Sequence, residues 1–285
     1  MANNIGWGQG AVNNSIGWGQ GASSNSISWG ISQKDSYSGE TEIYGIRTDV
    51  DALAFNSRVT SSGGTLSTLE QTAINQLVVD LKAYGLWDSM KAIYPMVGAS
   101  AAACAQNLKS SSFTGTFTSG WTFASTGATP NGTSAYFDTT LNPNGFTSLH
   151  QSYYSRTTSA NGREIGIDSY DLIISLGGSF YGRFGGSGVI TANGNSKGFY
   201  INTEAPTLSH KAFKNNSQLG TTQPFFGVYP NFKNYIGAIS VANIATHFTA
   251  RQCAFSSIGD GLTDTQAANF YTAVQAFQTT LSRQV

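Results

Sequence analysis

The chain has 285 residues, enough for one large domain or two small ones and for a substantial buried core. Charged residues make up 11% of it, against about 25% in ordinary soluble domains, and 15 basic residues balance 15 acidic ones. A surface made polar by hydroxyls and amides excludes an electrostatic case for nucleic acid or an anionic membrane, and it does little to keep copies of the chain apart.

The first element is a repeat with a period of eleven, "NNIGWGQGAVNNSIGWGQGASSNSISWG". Ile5, Ile16 and Ile27 align, as do Trp7, Trp18 and Trp29. Glycines beside each tryptophan exclude a helix, since each costs about 1 kcal/mol there. On an extended strand the isoleucine and tryptophan share one face, and the bare glycine face admits another backbone. The intervening Asn and Ser stretches are turn chemistry. Such units have no opposing layer of their own. The expectation is that these six side chains anchor the chain to copies of itself or to a neighbouring protein.

Residues 31–48 read as a connector with a short strand. A helix of about 49–60 follows, with Thr48 and Asp51 as its capping signal and Gly63–Gly64 as its stop. A second helix opens on a capping box, Ser67 with Glu70, and stops at Gly85. Leu69, Ala73, Leu77 and Leu81, with Ile74 and Val78 beside them, form its apolar stripe. "LWDSMKAIY" then predicts a short helix before Pro95.

From about 105 to 262 the texture changes to short aromatic and β-branched runs separated by Gly, Asn, Ser and Pro, such as "QSYYSR", "DLIISL", "SFYGRF", "KGFYIN" and "CAFSSI". About ten strands at this spacing predict an antiparallel sandwich of two packed sheets. Thr263 and Gln266 then cap a closing helix, with Ala267, Phe270, Val274, Phe277 and Leu281 as its buried stripe. Cys104 and Cys253 have no metal or redox spacing and read as buried thiols. "MANNIGWGQG" lacks the basic start and apolar run of a secretory leader, so synthesis in a cytoplasm is expected. No apolar stretch approaches the ~20 residues that cross a bilayer.

Three stretches together, "IGWGQGAVNNSIGWGQG", "GWTFASTGATPNGTSAYFDTTLNP" and "LTDTQAANFYTAVQAFQTTL", resemble virion proteins of phages infecting Bacteroidetes, including crAss-like phages. In these a Trp/Gly repeat precedes a concanavalin A-like (LamG-type) jelly roll. The resemblance implies a structural component of the particle, a head or tail fibre or appendage. Its N-terminal part would attach to the virion and its jelly roll would face outward. It also implies a homotrimer.

Jelly rolls include glycan hydrolases, which use two carboxylates about 5–5.5 Å or 6.5–9.5 Å apart. The one suggestive pair is Glu164 and Asp168 in "REIGID". On a regular strand they share a face but lie roughly 13 Å apart. The competing reading pairs Glu164 with Arg163 or Arg156 on the surface. His150, His210 and His247 stand far apart with no nucleophile motif near them. Asp168 and Asp171 are scattered candidates for calcium, without an Asp-rich loop. The glycine-rich "GSFYGRFGGSG" fits neither a dinucleotide nor a phosphate loop and reads as a strand between turns. Glycan binding needs only aromatic faces and neutral polar groups. Tyr153, Tyr154, Tyr170, Tyr181 and Tyr200 are available for it, though each reads first as a core or edge residue.

The reading is a mainly β, non-enzymatic virion protein, assembled in the host bacterial cytoplasm. It divides into an assembly segment at 1–33, a connector and helical region at 34–104, and a jelly roll with its closing helix at 105–285. Its partners are its own copies, capsid or tail proteins and a host-surface glycan, with no cofactor, metal or catalytic residue assigned. The alternatives are a glycan-degrading appendage enzyme and a bacterial surface adhesin.

Overall fold

The structure, a computed structural model, describes residues 42–43, 46–158, 161–205, 209–225 and 228–285. The expected anchoring residues Ile5, Trp7, Ile16, Trp18, Ile27 and Trp29 lie outside them. The described residues belong to one compact unit, Glu40–Val285.

A two-residue ladder of β1 (Glu42–Ile43) and β2 (Ile46–Arg47) leads into helix α1 (Val50–Ser61). Its cap is Asp49 and not Thr48: the Asp49 carboxylate accepts from the Asp51 amide at 2.9 Å. Asp49 is the residue with extended backbone before the helix, and its carboxylate also pairs with Lys82 of α2 (Thr68–Ala83) at 2.7 Å. Gly63, at φ +83°, takes the left-handed turn that lets its amide and that of Gly64 return to the Thr60 and Val59 carbonyls. Helix α2 carries the expected box, with the Glu70 amide donating to Ser67 Oγ and the Ser67 amide to Glu70 Oε2. Its stripe is buried from Ala73 to Leu81, whereas Leu69 is 54% exposed.

The expected helix in "LWDSMKAIY" is a 3₁₀ turn at Trp87–Ser89 followed by strand β3 (Met90–Tyr94). Sheet pairing overrides the local pattern here. One edge of β3 pairs with Cys253–Gly259, and on the other the Ile93 amide donates to Asn107 Oδ1 at 2.8 Å. A single helical turn, α3 (Ala101–Cys104), precedes the sandwich.

The next strands are β4 (Thr116–Phe117), β5 (Trp121–Ala124), β6 (Gly127–Pro130), β7 (Phe137–Asp138), β8 (Leu149–Ser155) and β9 (Ile165–Ile167). They continue as β10 (Tyr170–Leu176), β11 (Ser179–Phe184), β12 (Ser187–Ala192), β13 (Gly198–Ala205), β14 (Ser209–Lys214) and β15 (Ser217–Pro224). The last are β16 (Tyr235–Ile236), β17 (Ile239–Val241), β18 (Ile244–Thr246) and β19 (Cys253–Gly259), before helix α4 (Asp264–Thr280). One sheet runs β15-β14-β13-β8-β19-β6-β5, with β3 also on β19. The other runs β12-β11-β10-β9-β16-β7-β4, with β17 and β18 attached through β9. Pairing is antiparallel apart from one parallel bridge, Ser240 with Ile167. The fold class is the expected one, a mainly β antiparallel sandwich closed by a C-terminal helix.

Between the sheets lies a core that includes Tyr153, Leu172, Phe180, Tyr200 and Ile258. On the outer face of the β13–β8–β19 sheet a second core joins Tyr154, Phe199 and Phe255 to α1, α2 and α4. The helices are thus a third layer. Alternation accounts for this: Tyr153 and Tyr154 are neighbours in sequence, and each serves a different core. Cys104 and Cys253 are free buried thiols. No helix among the described residues is long and apolar enough to cross a membrane.

Candidate functional site

Of the acids proposed for catalysis or calcium, Glu164 and Asp171 lie in buried ion pairs, and Asp168 is exposed beside Arg163. Glu164 is fully buried. Its Oε1 accepts from Arg251 Nε and Thr249 Oγ1, both at 2.9 Å, and its Oε2 from the Ile174 amide at 2.6 Å. Burial raises its pKa, opposed chiefly by the Arg251 charge. The surface partners expected for it are engaged elsewhere: Arg163 donates to Asp168 and Asp171, and Arg156 to the Arg283 carbonyl and Gln252. Glu164 and Asp168 do not share a strand: β9 is Ile165–Ile167, Glu164 precedes it and Asp168 begins the turn into β10. Asp171 is buried and held by Arg183 at 2.6 and 2.8 Å, with Arg163 at 3.2 Å. Two guanidinium groups occupy the oxygens a cation would need. Among the described residues no three His, Cys, Asp or Glu side chains form a metal-binding group.

His150 comes nearest to a catalytic geometry. Its Nδ1 lies 2.7 Å from the Asp260 carbonyl oxygen, which can only accept, so Nδ1 carries the proton. Nε2 therefore accepts from Ser257 Oγ at 2.9 Å, and Ser152 Oγ lies 2.7 Å from Ser257. This has the form of a nucleophile and its base, yet all three residues are fully buried, and the Phe270 ring of α4 stands 5.8 Å from the imidazole. The three polar groups satisfy one another, and the network ties β8 to β19. Burial pushes His150 down to about 4. His247 is exposed, on the surface near Thr246, and His210 belongs to a different centre.

Of the five tyrosines, Tyr153, Tyr154 and Tyr200 are buried, their hydroxyls donating to the Arg251 carbonyl, Gln275 and the Asn195 carbonyl. Tyr170 and Tyr181 are half-buried. The aromatic surface instead lies on the margin where both sheets end, β5 in one and β4 in the other. Trp121 and Phe123 project from the same face of β5, their rings 6.5 Å apart and tilted by only 20°. Phe117 of β4 meets both edge-on, at 5.0 and 4.9 Å. All three are half-buried and pack against the inter-sheet core, with the indole N–H of Trp121 buried and the remainder of the rings open at the margin. Gly237 sets the depth of the indole: a Cβ there would come within 2.8 Å of Trp121 Cζ2. The W-x-F spacing in "GWTF" is the sequence signal for this shelf, because alternate residues share a strand face.

A cleft of about 400 Å³ opens at the start of α2, walled by Leu69, Ala99 and Leu281 with Glu70 and Ser125 beside them. It accounts for the exposed Leu69. The Glu70 carboxylate is engaged by Ser67 and by the Gly98 amide at 2.8 Å.

No protein-family model matches the sequence, and no curated protein is significantly similar to it. Among solved structures, a Trypanosoma rangeli sialidase mutant with trans-sialidase activity overlaps 73% of this chain at 7% identity and a TM-score of 0.47. This chain spans 39% of that protein. The CBM40 of Ruminococcus gnavus IT-sialidase, bound to alpha2,3 sialyllactose, overlaps 41% of this chain and 77% of its own length, at 12% identity and a TM-score of 0.31. A NanB sialidase mutant from Streptococcus pneumoniae overlaps 43% of this chain and 23% of its own, at 8% identity and a TM-score of 0.33. At TM-scores below 0.5 these are partial likenesses, and the fold rests on this chain's own strand pairings.

Proposed function

We propose that the chain is a non-enzymatic head or tail fibre or appendage protein of a phage virion. Its repeats at Ile5, Trp7, Ile16, Trp18, Ile27 and Trp29 grip other copies or neighbouring capsid or tail proteins, in a homotrimer. Its sandwich presents a lectin-like surface to a host glycan. The observation that carries the binding half of this reading is the near-parallel Trp121–Phe123 shelf on a sheet margin, two flat apolar faces on which a sugar ring can stack. The non-enzymatic half is supported by the burial of Glu164 and Asp171 against arginines, which leaves neither carboxyl able to act on a bound sugar.

Two experiments on the full chain test this. Trp121→Ala lowers affinity for host capsular polysaccharide about tenfold or more, as removal of a tryptophan anchor does, with an unchanged circular dichroism spectrum. Equal binding by the variant excludes the shelf, and release of reducing ends by the wild type excludes the non-enzymatic reading. The triple variant Trp7→Ala, Trp18→Ala, Trp29→Ala is expected to vanish from purified particles by mass spectrometry while the sandwich folds. Its normal incorporation rejects the anchoring role.

A further inference from the structure

The inner face of the β14–β13–β8 sheet is built in cross-strand rows. Lys214, Tyr200 and Tyr153 form one row, then Ala212, Asn202 and Gln151, then His210, Glu204 and Leu149. In the first two rows Tyr200 and Asn202 find partners. Tyr200 donates to the Asn195 carbonyl, and Asn202 Nδ2 reaches the Asp171 and Arg183 carbonyls of the facing sheet at 3.3 Å. In the last row Glu204 is fully buried, and neither of its carboxyl oxygens has a hydrogen-bond partner among the described residues.

The neighbours of Glu204 deepen the imbalance. Asn202 spends both amide protons on carbonyls, so its Oδ1 can only accept. His210 Nε2, 2.6 Å from that oxygen, must therefore carry the imidazole proton, and Nδ1 is a bare acceptor with no partner among the described residues. Gln151 donates its amide to the Tyr170 carbonyl at 3.0 Å, and its Oε1 is likewise unpartnered. Three buried acceptor groups thus share one face in adjacent rows, and one of them is a carboxyl. The cations at neighbouring positions are committed elsewhere, Arg183 to Asp171 at 2.6 Å and Lys211, on the opposite face, to Asp264 at 2.7 Å. Aromatic rings complete the surroundings. Phe184 stands 4.8 Å from the His210 ring, Tyr229 lies 6.4 Å from Phe184 and 5.9 Å from Tyr170, and Phe225 stacks on Tyr229 at 5.5 Å.

We propose that this end of the sandwich binds a primary alkylammonium group, with the Glu204 carboxylate as its charged partner and His210 Nδ1, on the paired strand, as a second acceptor. An isolated carboxyl in an apolar site is costly, and a cation that brings its own donors relieves both the charge and the open lone pairs. One carboxylate, one imidazole nitrogen and one amide oxygen are too few oxygens for calcium, which takes six to eight. The apolar rings beside His210 favour an organic cation over a strongly hydrated metal ion. Glu204 and His210 each lie one residue from the end of their strands, so the site sits at the end of the sandwich and not at its middle. The amine is carried by an amino sugar or by a lysine side chain, which offer the same chemistry. The site is separate from the Trp121 shelf and stands whether or not that shelf holds a sugar.

Calorimetric titration of the full chain tests it, with propylammonium chloride as the minimal probe and potassium chloride as the ionic control. Propylammonium binds one per chain, and Glu204→Gln, which keeps the shape and removes the charge, weakens it at least tenfold. In wild type the binding releases protons at pH 6 and none at pH 8, because the cation draws Glu204 into its ionised form. Glucosamine binding more tightly than Nα-acetyl-lysine supports an amino-sugar ligand, and the reverse order supports a protein lysine. N-acetylglucosamine, which lacks the charge, does not compete. Absence of propylammonium binding, equal binding by Glu204→Gln, or equal binding of potassium overturns the proposal.

Discussion

Glu164 and Arg251 meet in the core although 87 positions separate them in sequence, and both are fully buried. Such a pair adds little over an apolar pair of the same volume, but breaking it leaves a charge in a low dielectric. Glu164→Ala should therefore lower stability by about 3–5 kcal/mol, read as a fall in the urea midpoint. A loss below about 1 kcal/mol would contradict the buried pairing. Arg283 poses a related problem without a carboxylate. Its guanidinium donates to Gln278 Oε1 and to the Met96, Pro95 and Ala254 carbonyls, and burial lowers it to about 10. Neither arrangement was legible in the sequence. An acid next to Arg163 suggests a local surface pair, and only the closed sandwich brings Thr249 and Arg251 to it. Glu204 was equally silent, since nothing local distinguishes a strand glutamate that meets solvent from one that is buried between the sheets.

Helices were more legible than strands, because their ends are written in a few adjacent residues. Both predicted capping boxes are present, Ser67 with Glu70 and Thr263 with Gln266. Ser67→Ala and Thr263→Ala should each cost about 1 kcal/mol, the usual worth of an N-cap hydroxyl. Thr48→Ala should cost less than Asp49→Ala by thermal melting, since Asp49 both caps α1 and pairs with Lys82. Where partners decide the outcome, the local pattern misled. Met90–Tyr94 is a strand because β19 and Asn107 satisfy its two edges. Strand β15, "SQLGTTQP", is nearly all polar and largely exposed, so it offers no alternation to read, and its pairing with β14 defines it. The tyrosine runs illustrate the same limit. A Tyr-Tyr pair on a strand must point to opposite faces, but the sequence does not say that both faces are covered.

At the scale of the whole molecule, buried ionisable groups set opposing pH trends. Burial raises Glu204 to about 7. A glutamate that is neutral when folded and ionised when unfolded favours the fold below about pH 4.5 and loses that contribution as pH rises through 7. His150 and His210, each pushed down to about 4 by burial, act in the reverse sense. Their contribution is present above about pH 6.5 and is lost as pH falls through 4. Denaturation midpoints of Glu204→Gln and wild type should therefore differ more at pH 8 than at pH 5, with the variant gaining at the higher pH. A constant difference would show that Glu204 does not titrate in the folded chain.

Strand β3 carries a further consequence for how the polypeptide matures. It precedes the other sandwich strands in sequence, yet it hydrogen-bonds to the last of them, Ser256 opposite Tyr94. During synthesis Met90–Tyr94 emerges early and has no mate until residues 253–259 have left the ribosome, so the sheet cannot close co-translationally from its N-terminal end. Until then the apolar residues of β3 need other shelter, from a chaperone or from the helices beside them, and a nascent chain stalled before β19 is the species most exposed to aggregation.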